Sequence, residues 1–177
     1  MKKIRAIALT MTVLASGYAV AAAPKLHVTQ TVEINASAHK VWKAVEGFDS
    51  LNTWHPAVAK DEIVEGTNDT VGAVRLLTLK DGGTIKEKLL AFEPKAHKFR
   101  YAILEGVLPV SDYTSTLTVT PAGKGKATVT WTGHFRRKDT SANPADNAND
   151  KTATDTITSV YQGGLENLKK MLEGGTP

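Results

Sequence analysis

The sequence predicts an α+β fold. A curved antiparallel sheet of about six to seven strands surrounds a long C-terminal helix, and two short helices follow the first strand. Three observations predict it. Alternating apolar and polar segments are separated by short turn signals, a helical apolar period fills the last twenty residues, and two brief helical signatures stand between the first strand and the rest.

From Leu26 the pattern alternates. Leu26, Val28, Val32 and Ile34 share one face, and His27, Thr29, Thr31 and Glu33 share the other, as in a half-buried strand. In "NASAHKVWKAVEGF", Ser37 is placed to cap a short helix whose apolar side is Val41, Trp42 and Val45, with Gly47 ending it. "DSLNTW" reads as a second helical turn, stopped before Pro56. Strand-like segments follow near Ile63 and at 72–80, 84–93, 97–105, 112–121 and 125–137, broken by "EGTNDTVG", "KDGG", "EPKAH", "EGVLP" and "PAGKG". Such short connections imply an antiparallel meander. The stretch 138–152 is polar and lacks apolar periodicity, so it reads as a loop. Ile157, Val160, Tyr161, Gly164, Leu165, Leu168, Met171 and Leu172 then follow i, i+3, i+4 spacing. Gly163-Gly164 inside that helix points to a close approach or a bend.

The chain opens "MKKIRAIALTMTVLASGYAVAAAP": a basic start, an uncharged and mostly apolar run, and small residues at its end. This pattern predicts a secretory signal peptide over residues 1–22, with cleavage expected near Ala21-Ala22 and a single domain over 24–177. The run lacks the ~20 strongly apolar residues of a spanning helix, so no stable membrane anchor is expected. The expected export to the periplasm changes the charge argument. The whole chain has 22 basic and 18 acidic residues, and losing Lys2, Lys3 and Arg5 leaves 19 against 18. No basic stripe remains, so a nucleic-acid partner is not expected. With no cysteine there is no disulfide framework, and the mature chain depends on its core.

The hairpin "GAVRLLTLKDGGTIKEKLLAF" carries the first site signal. If Asp81-Gly82-Gly83 is a three-residue loop, Leu79 faces Ile85, Leu77 faces Glu87 and Arg75 faces Leu89. All six lie on one face, apolar except for Arg75 and Glu87, which are then diagonal neighbours. A buried charge needs a partner. The pattern therefore predicts an internal Arg75–Glu87 pair, or two charges awaiting a polar ligand group. The same parity gathers Phe99, Tyr101 and Ile103, then Tyr113, Leu117 and Val119, then Val129, Trp131 and Phe135. Threonines and His134 occupy the opposite faces. An inner surface with these rings suits a small hydrophobic or aromatic ligand, or forms a filled core.

Five histidines occur, His27, His39, His55, His97 and His134, and none pairs at metal-ligand spacing, so no metal site is expected. No nucleophile elbow and no phosphate-binding glycine loop appears, and no cofactor is implied. "NAS" at 35–37 and "NDT" at 68–70 match a glycosylation acceptor by composition alone. In "NTWHP", His55 stands beside Trp54 and just before Pro56. It reads as a general base, a cavity rim or surface packing, and no local partner orients it as a base.

Three strings, "VEINASAHKVWKAVEGFDSLNTWHPAV", "GAVRLLTLKDGGTIKEKL" and "VYQGGLENLKKMLE", resemble the SRPBCC superfamily, the helix-grip fold of START and polyketide cyclase/dehydrase-like proteins. The resemblance runs from about Lys25 to Glu173. With "YAILEGVLPVSDYTSTLTV" and the export signal it is most similar to the periplasmic MxaD-type proteins of methylotrophic bacteria. That resemblance implies a non-enzymatic accessory protein assisting a quinoprotein methanol dehydrogenase and its cytochrome c, and it supplies no catalytic residues. The alternative it implies is a small hydrophobic-ligand binder or a cyclase/dehydratase-like enzyme. Arg75, Glu87, Trp131 and Trp54 match patterns of cyclase-like relatives and so join the cavity set, which comprises Trp54, His55, Arg75, Glu87, Tyr101, Tyr113, Trp131 and Phe135.

Overall fold

A computed structural model describes residues 23–174. The expected signal peptide over 1–22 lies outside the described residues. The elements are β1 (Leu26–Ile34), α1 (Ala38–Val45), α2 (Leu51–Trp54), β2 (Val58–Glu65), β3 (Val74–Leu79), β4 (Thr84–Glu93), β5 (Lys98–Gly106), β6 (Val110–Pro121), β7 (Ala127–Arg137) and α3 (Asp150–Glu173). The seven strands form one antiparallel sheet in the order β1-β7-β6-β5-β4-β3-β2. This is the α+β helix-grip architecture: β2 to β7 follow one another across the sheet, and β1, at the opposite edge from β2, pairs with β7, the strand that precedes α3.

Local chemistry explains the elements. Ser37 Oγ accepts from Lys40 N–H and starts α1, whose Val41, Trp42 and Val45 are buried. Asn149 does the same for α3 through Thr152 N–H, and Asp150 sits in the first turn. α3 therefore begins inside the stretch expected as loop up to 152. Its polar first two turns hide the start from an apolar period, and the cap reveals it. Ala153, Ile157, Tyr161, Gly164, Leu165 and Leu168 form its buried stripe. Fully burying each large aliphatic contributes roughly 1.5–3 kcal/mol, so packing holds this helix against the cost of its paired glycines.

The faces follow the expected parity. Tyr101, Tyr113, Leu117, Val119, Val129, Trp131 and Phe135 are all buried, while the threonines of β6 and β7 are half-buried or exposed. The β3–β4 register differs by two residues from the expected one. Arg75 stands opposite Glu87 and Leu77 opposite Ile85, because the connection spans Leu79 to Gly83 rather than three residues. Leu79 N–H donates to Gly83 O across that wider turn. A slip of two keeps every side chain on its face, whereas a slip of one would have reversed the faces.

Candidate functional site

Between the sheet and α3 lies a hollow of about 70 Å³, walled by His55, Glu87, Tyr101, Tyr113, Trp131 and Tyr161 with aliphatic neighbours such as Leu77 and Ile157. It is smaller than the ~150 Å³ that accommodates a benzene ring. It is far below the ~300–1,000 Å³ of a drug-sized ligand site. At the β5–β6 end a groove of about 310 Å³ runs past Leu104, Gly106, Val110 and Lys138. Ile103, Leu108 and Tyr113 border both spaces.

Arg75 is the electrostatic centre. Its Nε–H and Nη2 reach Glu87 Oε2 at 2.7 and 2.6 Å. Nη1 donates to Phe48 O at 2.6 Å and lies 3.2 Å from Asp61 Oδ2. The guanidinium carbon stands 4.3 Å from the Phe48 ring centroid. One cation thus serves two carboxylates away from water. Burial pushes the Asp61 carboxyl up to about 6, although Arg75 and the Leu51 N–H pull it back. Burial also raises Glu87, again against Arg75. Burial opposes the Arg75 charge, but Glu87 and Asp61 outweigh it and hold the guanidinium above its ordinary value.

A chain of hydroxyls crosses the hollow's wall. Ser115 Oγ–H donates to Thr132 O at 2.9 Å, so Ser115 Oγ accepts from the Tyr161 hydroxyl at 2.9 Å, and Tyr161 in turn accepts from Tyr113. Trp131 Nε1–H donates to Tyr101 Oη at 3.1 Å. Burial pushes the Tyr101 phenol up to about 12 and moves Tyr113 and Tyr161 higher as well, so all three stay protonated at neutral pH.

His55 is buried and wedged against Trp131, edge to face. Nε2–H donates to Val160 O at 2.9 Å, and Nδ1 accepts from Ala57 N–H at 3.2 Å. Those partners assign the Nε2–H tautomer. Burial lowers its pKa, so the ring is neutral with both nitrogens engaged. A base needs a free lone pair, and this ring has none to offer a substrate. His55 is part of the wall, and its tautomer ties α2 to α3.

The eight expected residues do not all face the hollow. His55, Glu87, Tyr101, Tyr113 and Trp131 line it. Trp54 and Arg75 stand behind it, bordering a void of about 10 Å³. Phe135 stacks on Tyr113 at 6.1 Å and supports the wall without reaching the hollow. The parity that placed Phe135 on the inner face says nothing about its depth along the strand. Tyr161, Ser115 and Asp61 were not singled out from the sequence. A signal for Tyr161 exists in Gly133, a glycine inside a strand. A Cβ there would lie 2.3 Å from Tyr161 Oη. Gly164 admits His55 and Trp131, whose Cδ2 and Cζ3 would lie 2.5 and 3.1 Å from an added Cβ. Gly163 has open space around it, so of the glycine pair only Gly164 makes the close approach.

The sequence profile of the family described as "Polyketide cyclase / dehydrase and lipid transport" matches residues 25–173. The protein XoxI from Bacillus cereus is similar in structure with a TM-score of 0.73 and 31% identity, over 82% of this chain and 94% of that one. A protein from Bacillus thuringiensis gives 0.73 and 30%, over 83% and 98%. Norcoclaurine synthase from Thalictrum flavum, solved with dopamine and hydroxybenzaldehyde, shares the fold at 0.66 and 17% identity, over 95% and 99%.

Proposed function

The chain belongs to the polyketide cyclase / dehydrase and lipid transport family, and from that premise we propose that it is a non-catalytic, exported accessory protein that acts through its surface. The observation that carries this reading is the state of the interior. The hollow holds only about 70 Å³, and its imidazole, indole and most of its hydroxyls are bonded to one another or to backbone. Acid–base catalysis needs a polar group within reach of the reacting atom and free to exchange a proton. The resemblance to periplasmic MxaD-type proteins supplies the partners: a quinoprotein methanol dehydrogenase and its cytochrome c.

The test is a reconstitution. Purified protein is added to a quinoprotein methanol dehydrogenase and its cytochrome c, and cytochrome reduction is followed optically. A several-fold faster reduction at equimolar protein supports the reading, and an unchanged rate overturns it. A folded R75M/E87Q variant accelerates the reaction as well as the wild type does if the surface acts alone.

A second reading has an observation of its own. The hollow and the 310 Å³ groove share Ile103, Leu108 and Tyr113. A small hydrophobic or aromatic ligand would place its body in the groove and its tip against Tyr101 and Tyr113. Fluorescence of 8-anilinonaphthalene-1-sulfonate that rises with the protein and is lost in Leu108→Trp supports that use. Equal fluorescence with both proteins argues against it.

A further inference from the structure

His27 and His134 are 107 positions apart in sequence, yet they face each other directly across the β1–β7 ladder. Their ring centroids are 6.3 Å apart with planes inclined by 31°. Both side chains are exposed on the outer face of the sheet, the face away from α3 and the hollow. The next rung of the same type is Thr29 opposite Thr132, and its hydroxyl oxygens are 3.0 Å apart. Antiparallel rungs alternate with period two, so the histidine rung has the same geometry and brings its side chains equally close. A ring nitrogen lies near its centroid, and a late first-row cation needs nitrogens at about 2.0–2.1 Å. Rotation of two exposed imidazoles about their side-chain bonds closes the remaining gap without moving backbone.

We propose that His27 and His134 form a two-imidazole site for a divalent late transition-metal ion, Cu²⁺ above all. Among the described residues no third histidine or carboxylate converges there, so water completes the coordination. The surroundings set the strength. Lys25 and Arg136 border the same shallow depression as His134 and oppose a cation. Asp112, held at φ +48 in the β6 bulge, places its carboxylate 3.3 Å from Arg136 Nε and offsets one of them. One imidazole against that field is a weak ligand, whereas two on adjacent rigid strands chelate. Imidazole ligation favours Cu²⁺ over Ni²⁺ and Zn²⁺. The site lies on the opposite side of the sheet from the hollow and does not depend on the function proposed above.

The experiment titrates the protein with CuCl₂, NiCl₂ and ZnCl₂ and follows the imidazole C–H resonances. Cu²⁺ is expected to bind most tightly and to broaden the His27 and His134 signals before those of His39, an exposed histidine on α1. His27→Ala and His134→Ala each weaken Cu²⁺ binding at least tenfold. The double variant binds more weakly than either single one but by less than the product of the two single losses, because each single variant has already forfeited the chelate, and His39→Ala stays within twofold. A loss below tenfold in either single variant, or an equal loss in H39A, overturns the site.

Discussion

Arg75 and Glu87 face each other across a direct rung between β3 and β4, with Nη2 2.6 Å from Oε2 and both side chains almost wholly out of water. Glu87 lines the hollow, while Arg75 stands behind it, reaching Asp61 on β2 and the backbone of Phe48. The ion pair therefore ties four stretches of chain together at the back of the site: β2, β3, β4 and the segment after α1.

Removing the cation alone leaves two buried carboxylates unpaired. Arg75→Met is expected to cost about 3–5 kcal/mol at pH 7.5. The loss shrinks at pH 5, where both carboxyls can take up protons. Urea denaturation at the two pH values checks this, and the double variant R75M/E87Q should lose less than the two single losses added together. An R75M loss that ignores pH would show that the carboxylates do not carry it.

Asp61 predicts the direction of the acid limb. Its carboxyl sits at about 6 in the folded protein against 3.8 as a free group. Between those values the folded state holds more protons than the unfolded one. Stability is thus fully present below about pH 4 as far as this group is concerned, and is lost as pH rises through 6. The full swing is on the order of 3 kcal/mol at 1.36 kcal/mol per pKa unit. Asp61→Asn should flatten the difference in stability between pH 4.5 and 7.5, and an unaltered slope in D61N would assign it to another group.

The glycine pair in α3 separates packing from helix propensity. Gly163→Ala meets nothing within 4 Å and is expected to stabilise by up to about 1 kcal/mol. Gly164→Ala drives a methyl to 2.5 Å from His55 Cδ2 and is expected to destabilise by roughly 1–3 kcal/mol despite the same gain in propensity. Thermal melts of the two variants should move in opposite directions, and a shared direction would contradict the close packing of His55 on α3.

In the hydroxyl chain Tyr161 has two hydroxyl partners and Tyr113 one. Tyr161→Phe leaves both Tyr113 and Ser115 without it and should cost about 1–3 kcal/mol. Tyr113→Phe should cost less. Equal losses by chemical denaturation would count against the ordering of donors from Tyr113 to Ser115.

The faces of the strands were legible because side-chain alternation is local. Parity puts Arg75, Glu87, Tyr101, Tyr113 and Trp131 on one inner surface even though the three-residue β3–β4 loop it assumes is two residues shorter than the observed one. An even error in turn length moves rungs but not faces. The same parity mistook depth for contact at Phe135, which lies on the inner face but backs Tyr113 instead of lining the hollow. For His55 the sequence left three readings open. The carbonyl of Val160 and the N–H of Ala57 decide among them by engaging both nitrogens.

By itself the sequence determined the element order, the inner and outer faces, the long covering helix and the need of Arg75 and Glu87, both facing inward, for a partner. Each of these follows from periods of two or 3.6 residues and from the cost of burying a lone charge. Tertiary structure alone decided that Asp61 shares Arg75, that Tyr161 meets Ser115, that His27 meets His134, and that only about 70 Å³ remains inside. Those features depend on strands and a helix brought together from distant parts of the chain, and on how closely their side chains pack once there. No local pattern encodes either.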